Sequence, residues 1–260
     1  MERRRVDPRR RGADVDLDDV VYGVHAVSEA ISAGEKLRRI HIGDERKRDP
    51  ALRLLLERAR EAQVPVRFES RSFFASFPYK AHQSVVAIGA SFEYVSLDEA
   101  IAGRKGTGAA LFVVLDHITD PHNLGAIIRT AECSGVDAVV IPERRAAGVN
   151  ATVRKAAAGA AAYVPVARVA NVAGAIRTLK KAGLWIAGAA ADVEAVDYAA
   201  ADLARDTALV VGAEGTGLAP LVRRECDYLI SIPLEGKVGS LNASVAAGVL
   251  LYEALRQRRP

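Results

Sequence analysis

The sequence predicts an α/β protein in two parts, the larger one a parallel sheet with helices on both faces. Three observations lead there. From residue 109 onward, apolar runs of strand length alternate with helical stretches, the pattern of successive β-α-β units. Ahead of it, residues 19–91 hold a shorter set of strands and helices. Between the two, residues 92–108 turn polar and collect Gly103, Gly106 and Gly108, which reads as a linker.

Taken in order, residues 1–18 have almost no apolar content and read as a flexible, arginine-rich arm. Its arginines are offset by Glu2, Asp7, Asp14, Asp16, Asp18 and Asp19, so the first nineteen residues sum to zero and the body keeps the net +4. Such an arm either touches RNA phosphate or stays a solvated tail. In the smaller part, 20–24 reads as a strand and 25–33 as a short helix closed by Gly34. Residues 37–42 alternate as a strand, 52–62 form an amphipathic helix, and 65–68 and 84–90 are further strands.

The larger part, 109–260, opens with an apolar run at 110–115 that suits a strand buried on both faces. Similar runs follow at 138–141, 163–166, 184–187, 209–211 and 229–232. Helices are expected at 124–134, 152–160, 172–182, 218–225 and 243–256. The last is apolar nearly all round (Val245, Ala246, Val249, Leu250, Leu251) and should be buried, against this domain or another subunit.

Composition bounds the class. The chain has 260 residues, enough for one large or two modest domains with their own cores. Half the residues are hydrophobic, which is a globular balance. No apolar run reaches the roughly 18 residues of a membrane span. No apolar stretch follows the N-terminal arginines, so a signal peptide is not expected. Cys133 and Cys226 lie far apart with no CxxC pattern and read as buried, reduced thiols, favouring a cytoplasmic setting. A basic body is compatible with nucleic acid, as it is with many soluble proteins.

Three loops carry the chemistry: 122–131, 212–217 and 240–246. Each puts amides, hydroxyls or glycines where a strand has ended and a helix begins, which is where α/β proteins hold ligands. Gly212, Gly215 and Gly217 are spaced G-x-x-G-x-G, late in the domain and ahead of Pro220, unlike a dinucleotide fingerprint. No Walker sequence is present. Asp116, His117, Asp120 and His122 crowd one loop, but Pro121 breaks their register and no second ligand motif joins them, so the loop reads as a pocket wall rather than a metal site. Ser240 and Ser244 lack a nucleophile elbow. Asn123 and Asn242 are placed as helix N-caps. Arg129, within an otherwise apolar helix, should be at least half-buried and needs a partner: a ligand, or Glu132 or Glu214 in an internal salt bridge.

Read together, Asp120-Pro121-His122-Asn123-Leu124-Gly125 through Arg129-Thr130-Ala131, Gly212-Ala213-Glu214-Gly215, and Ile232-Pro233 with Leu241-Asn242-Ala243-Ser244-Val245-Ala246 resemble the three motifs of the SpoU (TrmH/RlmB-like) branch of the SPOUT RNA methyltransferases. The resemblance covers residues 110–258. Upstream, Tyr22-Gly23-Val24-His25-Ala26-Val27 and His82-Gln83-Ser84-Val85-Val86-Ala87 look like the start and end of that family's small substrate-binding domain, itself similar to ribosomal protein L30e. Asn150-Ala151-Thr152 further resembles the RlmB-type 23S rRNA enzymes.

The resemblance implies methyl transfer from S-adenosyl-L-methionine to the ribose 2′-hydroxyl of a guanosine in 23S rRNA or its ribosomal precursor. It also implies a deep trefoil knot in the C-terminal domain and a homodimer. It gives catalytic roles to Asn123, Arg129, Glu214, Ser240 and Asn242, and a donor pocket to Leu115, Gly212, Ala213, Gly217, Ile232, Leu241 and Ala246. No metal and no membrane enter. Because a guanidinium stays protonated at neutral pH, Arg129 is read as holding phosphate and stabilising the oxyanion. Glu214 then orients Arg129 or accepts the proton, while Asn123, Ser240 and Asn242 position the ribose and the loops. Arg144, Arg145, Arg154 and Lys155 form either a phosphate track or a solvated face. Two alternatives stand beside this reading. One is the same chemistry on tRNA or another rRNA nucleotide. The other is a non-catalytic RNA-binding or ribosome-assembly protein, against which the whole retained polar set argues.

Overall fold

The computed structural model describes residues 19–259 apart from 76, 79, 80, 90, 105–107, 193 and 194; the arginine-rich arm at 1–18 lies outside the described residues. The chain divides into two compact units, Met1–Phe92 and Glu93–Pro260.

The smaller unit runs β1 (Val20–Tyr22), α1 (Val24–Ser32), β2 (Leu37–Gly43), α2 (Arg53–Glu61), β3 (Val66–Glu69), α3 (Arg71–Phe74) and β4 (Val85–Gly89). Its sheet order is β1-β4-β2-β3, with β2 and β3 parallel and the other pairs antiparallel. Strand alternation sends Ile40, Ile42, Val85 and Ala87 into one core with Val27, Ile31, Leu52 and Leu55 from the helical side. On the opposite face His41 is buried. It stacks on Phe73 with ring centroids 4.6 Å apart, and its Nδ1 lies 3.0 Å from Glu69 Oε1. Burial pushes its pKa below the ordinary histidine value, with Glu69 opposing.

The larger unit carries α4 (Leu97–Ala102), β5 (Leu111–Asp116), α5 (Pro121–Cys133), β6 (Ala138–Pro142), α6 (Ala151–Ala157), β7 (Val166–Val169), α7 (Val172–Lys181), β8 (Trp185–Ala189), β9 (Val196–Asp197), β10 (Thr207–Gly212), α8 (Pro220–Glu225), β11 (Tyr228–Ser231) and α9 (Ala243–Arg258). Seven strands form one sheet of order β7-β6-β5-β10-β8-β11-β9, and every pairing is parallel. Phe112, Val114, Val140 and Val210 pack on one face with Ile176 and Leu179 of α7 and Val222 of α8. Leu111, Val113, Leu115 and Val211 alternate onto the other face, where α9 meets β10 and α5 packs between α6 and α9. Gly125 permits that packing: a Cβ there would sit 2.4 Å from Ala156 Cβ and 2.7 Å from the Val153 carbonyl oxygen.

Several sequence expectations need correction. The segment 92–108, read as a linker, contains α4, because Ser96 accepts from the Glu99 backbone N–H while the Glu99 carboxylate accepts from Ser96, a complete capping box. The strand expected at 163–166 begins three residues later. Left-handed backbone at Ala158 and Gly159 ends α6, and residues 160–162 form a 3₁₀ turn. Cys133 is exposed rather than buried, and burial pushes the Cys226 thiol up to about 12. α9 buries Ala243, Ala247, Leu250, Leu251 and Ala254 but leaves Val245 (51% exposed) and Tyr252 (53%) on its surface.

The strand order reverses beside β5. The chain steps outward from β5 through β6 to β7, then crosses back, and β10 is laid between β5 and β8. In open parallel sheets such a reversal leaves a crevice at the strands' C-terminal ends. Here Asp116, the last residue of β5, is in register with Gly212, the last of β10.

Candidate active site

The crevice is built by three loops. The first leads into α5, where Asp120, not Asn123, is the N-cap: its carboxylate accepts from the His122 N–H at 2.8 Å and Pro121 takes the first helical position. Asn123 therefore sits inside the first turn, with its side chain available. The second loop follows β10. A Cβ on Gly212 would lie 2.3 Å from the Gly217 carbonyl carbon and 2.4 Å from its oxygen, so only glycine lets the loop fold back on its own strand. The third precedes α9, where Asn242 is the N-cap, its Oδ1 accepting from the N–H groups of Ser244 and Val245.

That cap fixes the Asn242 amide, so its Nδ2 must point away from α9. It donates to Glu214 Oε1 at 2.5 Å and to Asn123 Oδ1 at 2.9 Å; Asn123 Nδ2 in turn donates to Glu214 Oε1 at 2.8 Å. The Ala243 N–H points at the same carboxylate oxygen at 3.3 Å. Three loops far apart in sequence are thus closed into one ring of hydrogen bonds, with a carboxylate as hub.

Beside the ring lies a cavity of about 380 Å³, within the range of small-molecule sites. Gly212, Ala213, Glu214, Gly217, Ile232, Ser240, Leu241 and Ala246 of the expected residues line it. Leu115 does not: it is buried in β5, where it pairs with Val211, which does border the cavity. Arg129 departs from expectation as well. It is exposed on α5 and makes no ion pair with Glu132 or Glu214, because its position on the helix points it away from the packed face. Arg144 and Arg145 are exposed, Lys155 is half-buried with its pKa lowered by desolvation, and Arg154 is buried (5% exposed), so it is no part of an open track.

Asp116 is taken up structurally. Its Oδ2 accepts from the Ala219 N–H at 2.7 Å and its Oδ1 lies 2.5 Å from His117 Nδ1, which secures the approach to α8. Among the described residues no group of three His, Cys, Asp or Glu is placed to hold a metal, and no helix is long and apolar enough to cross a membrane. Sequence reading missed the far wall of the cavity: Ala189, Ala190 and Ala191 at the end of β8, and Arg223 of α8. Small residues after a strand were the available signal for the first three; Arg223 had none, lying in an ordinary helical run.

The profile of the SpoU rRNA methylase family matches residues 110–252, and that of the RNA 2′-O-ribose methyltransferase substrate-binding domain matches residues 20–95. The chain belongs to the SpoU/TrmH family. It is 44% identical over 244 residues, 93% of this chain and 96% of the other, to a Staphylococcus haemolyticus protein named as a TrmH family tRNA/rRNA methyltransferase. The SpoU methyltransferase AviRb of Streptomyces viridochromogenes, solved with AdoMet, superposes with a TM-score of 0.78 at 27% identity, covering 92% of this chain and 89% of that one. The A. aeolicus TrmH/SpoU tRNA modifying enzyme reaches a TM-score of 0.54 at 33% identity, covering 62% of this chain and 80% of that one.

As a SpoU/TrmH protein the chain is an RNA 2′-O-methyltransferase that uses S-adenosylmethionine. The cavity suits that donor. Glycine backbone at 212 and 217 allows close approach, Ile230, Ile232, Leu234 and Leu241 offer an apolar wall for a purine, and few polar side chains join them.

Proposed function

We propose that this SpoU/TrmH enzyme methylates the ribose 2′-hydroxyl of a guanosine in 23S rRNA or its ribosomal precursor, acting as a cytoplasmic homodimer. The observation that carries the reading is the ring of Asn123, Glu214 and Asn242 beside the glycine-walled cavity. Bound there, S-adenosylmethionine supplies an electrophilic methyl group. The protein's own part is to hold the ribose oxygen in line and to manage its proton.

Within that part, Glu214 Oε1 is already committed to three donors, so Glu214 acts as the hub that positions Asn123 and Asn242. Arg129, exposed and without an ion pair among the described residues, is the group left to take the target phosphate and stabilise the developing oxyanion. Ser240, on the cavity rim, contacts the ribose. Arg144, Arg145 and Lys155 carry the flanking phosphates.

Ribosomal rather than transfer RNA is favoured because the chain carries a substrate-binding match over 20–95 beside its methylase match, and the tRNA-modifying enzyme covers only 62% of it. The homodimer is supported by Val245 and Tyr252, exposed apolar groups seven residues apart on one face of α9. The trefoil knot belongs to the same reading, with the return of the chain through β10 as its support.

Mass spectrometry of nuclease-digested rRNA from cells with and without the gene tests the proposal: one 2′-O-methylguanosine should disappear from 23S rRNA. Loss of a tRNA mark instead, or of none, overturns the substrate. Arg129→Ala and Arg129→Lys should both keep donor binding and lower turnover by about 100-fold or more. Normal turnover in either removes Arg129 from its role.

A further inference from the structure

Among the described residues, one basic side chain borders the donor cavity: Arg223. It belongs to α8, on the face of the sheet opposite α9, whereas the Asn123–Glu214–Asn242 ring is tied to α5 and α9. The cavity is therefore lined both by the carboxylate hub Glu214 and by a guanidinium from a different helix. Arg223 Nη2 donates to Asp192 Oδ2, from the segment that continues the Ala189–Ala191 wall. No other hydrogen bond of Arg223's side chain is made with a described residue, so the rest of its five-donor fork is uncommitted there.

We propose that Arg223 is the residue that binds the α-carboxylate of the methyl donor's amino-acid end, and that Asp192 positions its guanidinium for that purpose. The proposal rests on the donor cavity described above. Three points carry it. The rest of the wall is glycine, alanine, valine, leucine and isoleucine with Glu214, Thr216 and Ser240, so no other side chain among the described residues lining it offers a positive charge to the donor's one anionic group. The Arg223–Asp192 pair is itself partly exposed, at 41% and 27%, so solvent screens it and a second carboxylate can share the guanidinium at little cost. Arginine is the side chain whose planar fork can donate to two carboxylates on different edges, one holding it and one held. An RNA phosphate is the less suitable anion, because Arg223 lines the donor cavity, which Arg129 does not border.

The test uses equilibrium binding by calorimetry with S-adenosylmethionine and its decarboxylated analogue, which differ in the carboxylate alone. The unaltered protein should prefer S-adenosylmethionine by about tenfold. Arg223→Gln should lose that preference while binding the decarboxylated analogue as before, and Asp192→Ala should reduce the preference severalfold. Equal binding of the two ligands by the unaltered protein overturns the assignment, as does a preference that survives Arg223→Gln. Should that variant not fold, Arg223→Lys keeps the charge without the fork and must show a preference between the unaltered value and none. Failure of the unaltered protein to bind either ligand would instead strike at the donor cavity itself, which keeps the two failures distinct.

Discussion

The ring of Asn123, Glu214 and Asn242 makes a quantitative claim about stability that can be tested apart from catalysis. Glu214 Oε1 receives two well-formed amide donors, at 2.8 and 2.5 Å, and a longer backbone one at 3.3 Å. A hydrogen bond to a charged acceptor contributes about 1.5–3 kcal/mol when buried. These groups stand at an exposed loop, so screening brings each good bond to about 0.5–1 kcal/mol. Glu214→Ala should therefore cost about 1–2 kcal/mol. Asn242→Ala should cost more, about 2–3 kcal/mol, since it also removes the N-cap of α9, worth about 1 kcal/mol alone. The double variant should recover about 0.5–1 kcal/mol of the sum, which is the energy of the bond the two share. Urea unfolding followed through Trp185, the sole tryptophan and a residue of β8 in the larger unit, reads these values directly. A coupling within about 0.3 kcal/mol of zero would mean that the ring does not exist in solution. Adding Glu214→Gln separates charge from shape: the amide keeps an acceptor and should retain roughly half of the coupling.

Other consequences follow from single positions. Gly212→Ala would force backbone apart at Gly217 and Leu218; it should destabilise the larger unit by about 1–3 kcal/mol and abolish S-adenosylmethionine binding by calorimetry, so a variant that binds normally contradicts the tight turn. His41 has its pKa lowered in the folded state by burial, so the unfolded chain binds the proton more readily. Stability should be full above the unfolded value near 6.5 and decline as the pH falls below it; His41→Phe, which still stacks on Phe73, should flatten that decline in thermal unfolding curves. Val245→Asp should turn the proposed homodimer into a monomer by light scattering if α9 carries the subunit contact; an unchanged dimer mass assigns the contact elsewhere.

Much of this architecture was legible because a sheet buried on both faces leaves continuous apolar runs. The stretches at 138–141 and 209–211 fall within β6 and β10, and 110–115 matches β5 to within one residue at each end, for that reason. Legibility failed where burial was one-sided or the element short. β7 carries the exposed Arg168 near the sheet's edge, so its pattern did not stand out, and the apolar residues ahead of it went into a 3₁₀ turn. β9 has two residues. The helix α4 was announced by Ser96 and Glu99, a capping box that glycines nearby obscured. In the site, Asn242 could be read as a cap from its place before an apolar helix. Asn123 could not, since Asp120-Pro121 takes the cap three residues earlier and frees the asparagine amide. Which groups that amide would reach was a tertiary fact: the residues of the ring are separated by 91 and 28 positions along the chain.

That separation bears on how the site works. A hub whose donors come from the start of α5 and the start of α9 can form only when both helices are docked on the same face of the sheet, and the Gly125 contact with α6 and the α5–α9 packing set that docking. The catalytic loops therefore report on the completeness of the fold: loosening α5 or α9 anywhere along their length should open the ring before it unfolds the sheet. The same logic places the less constrained groups on the substrate side. Arg129 stands exposed on α5 without an ion pair among the described residues, and in the proposed mechanism RNA completes its geometry, whereas Glu214 is completed by the protein. On that proposal a positioning hub fixed in advance and a cation left for the substrate divide the work as preorganised catalysis requires: the protein's dipoles are ordered before the ribose arrives, and the last charge to be neutralised is the one proposed to recognise it.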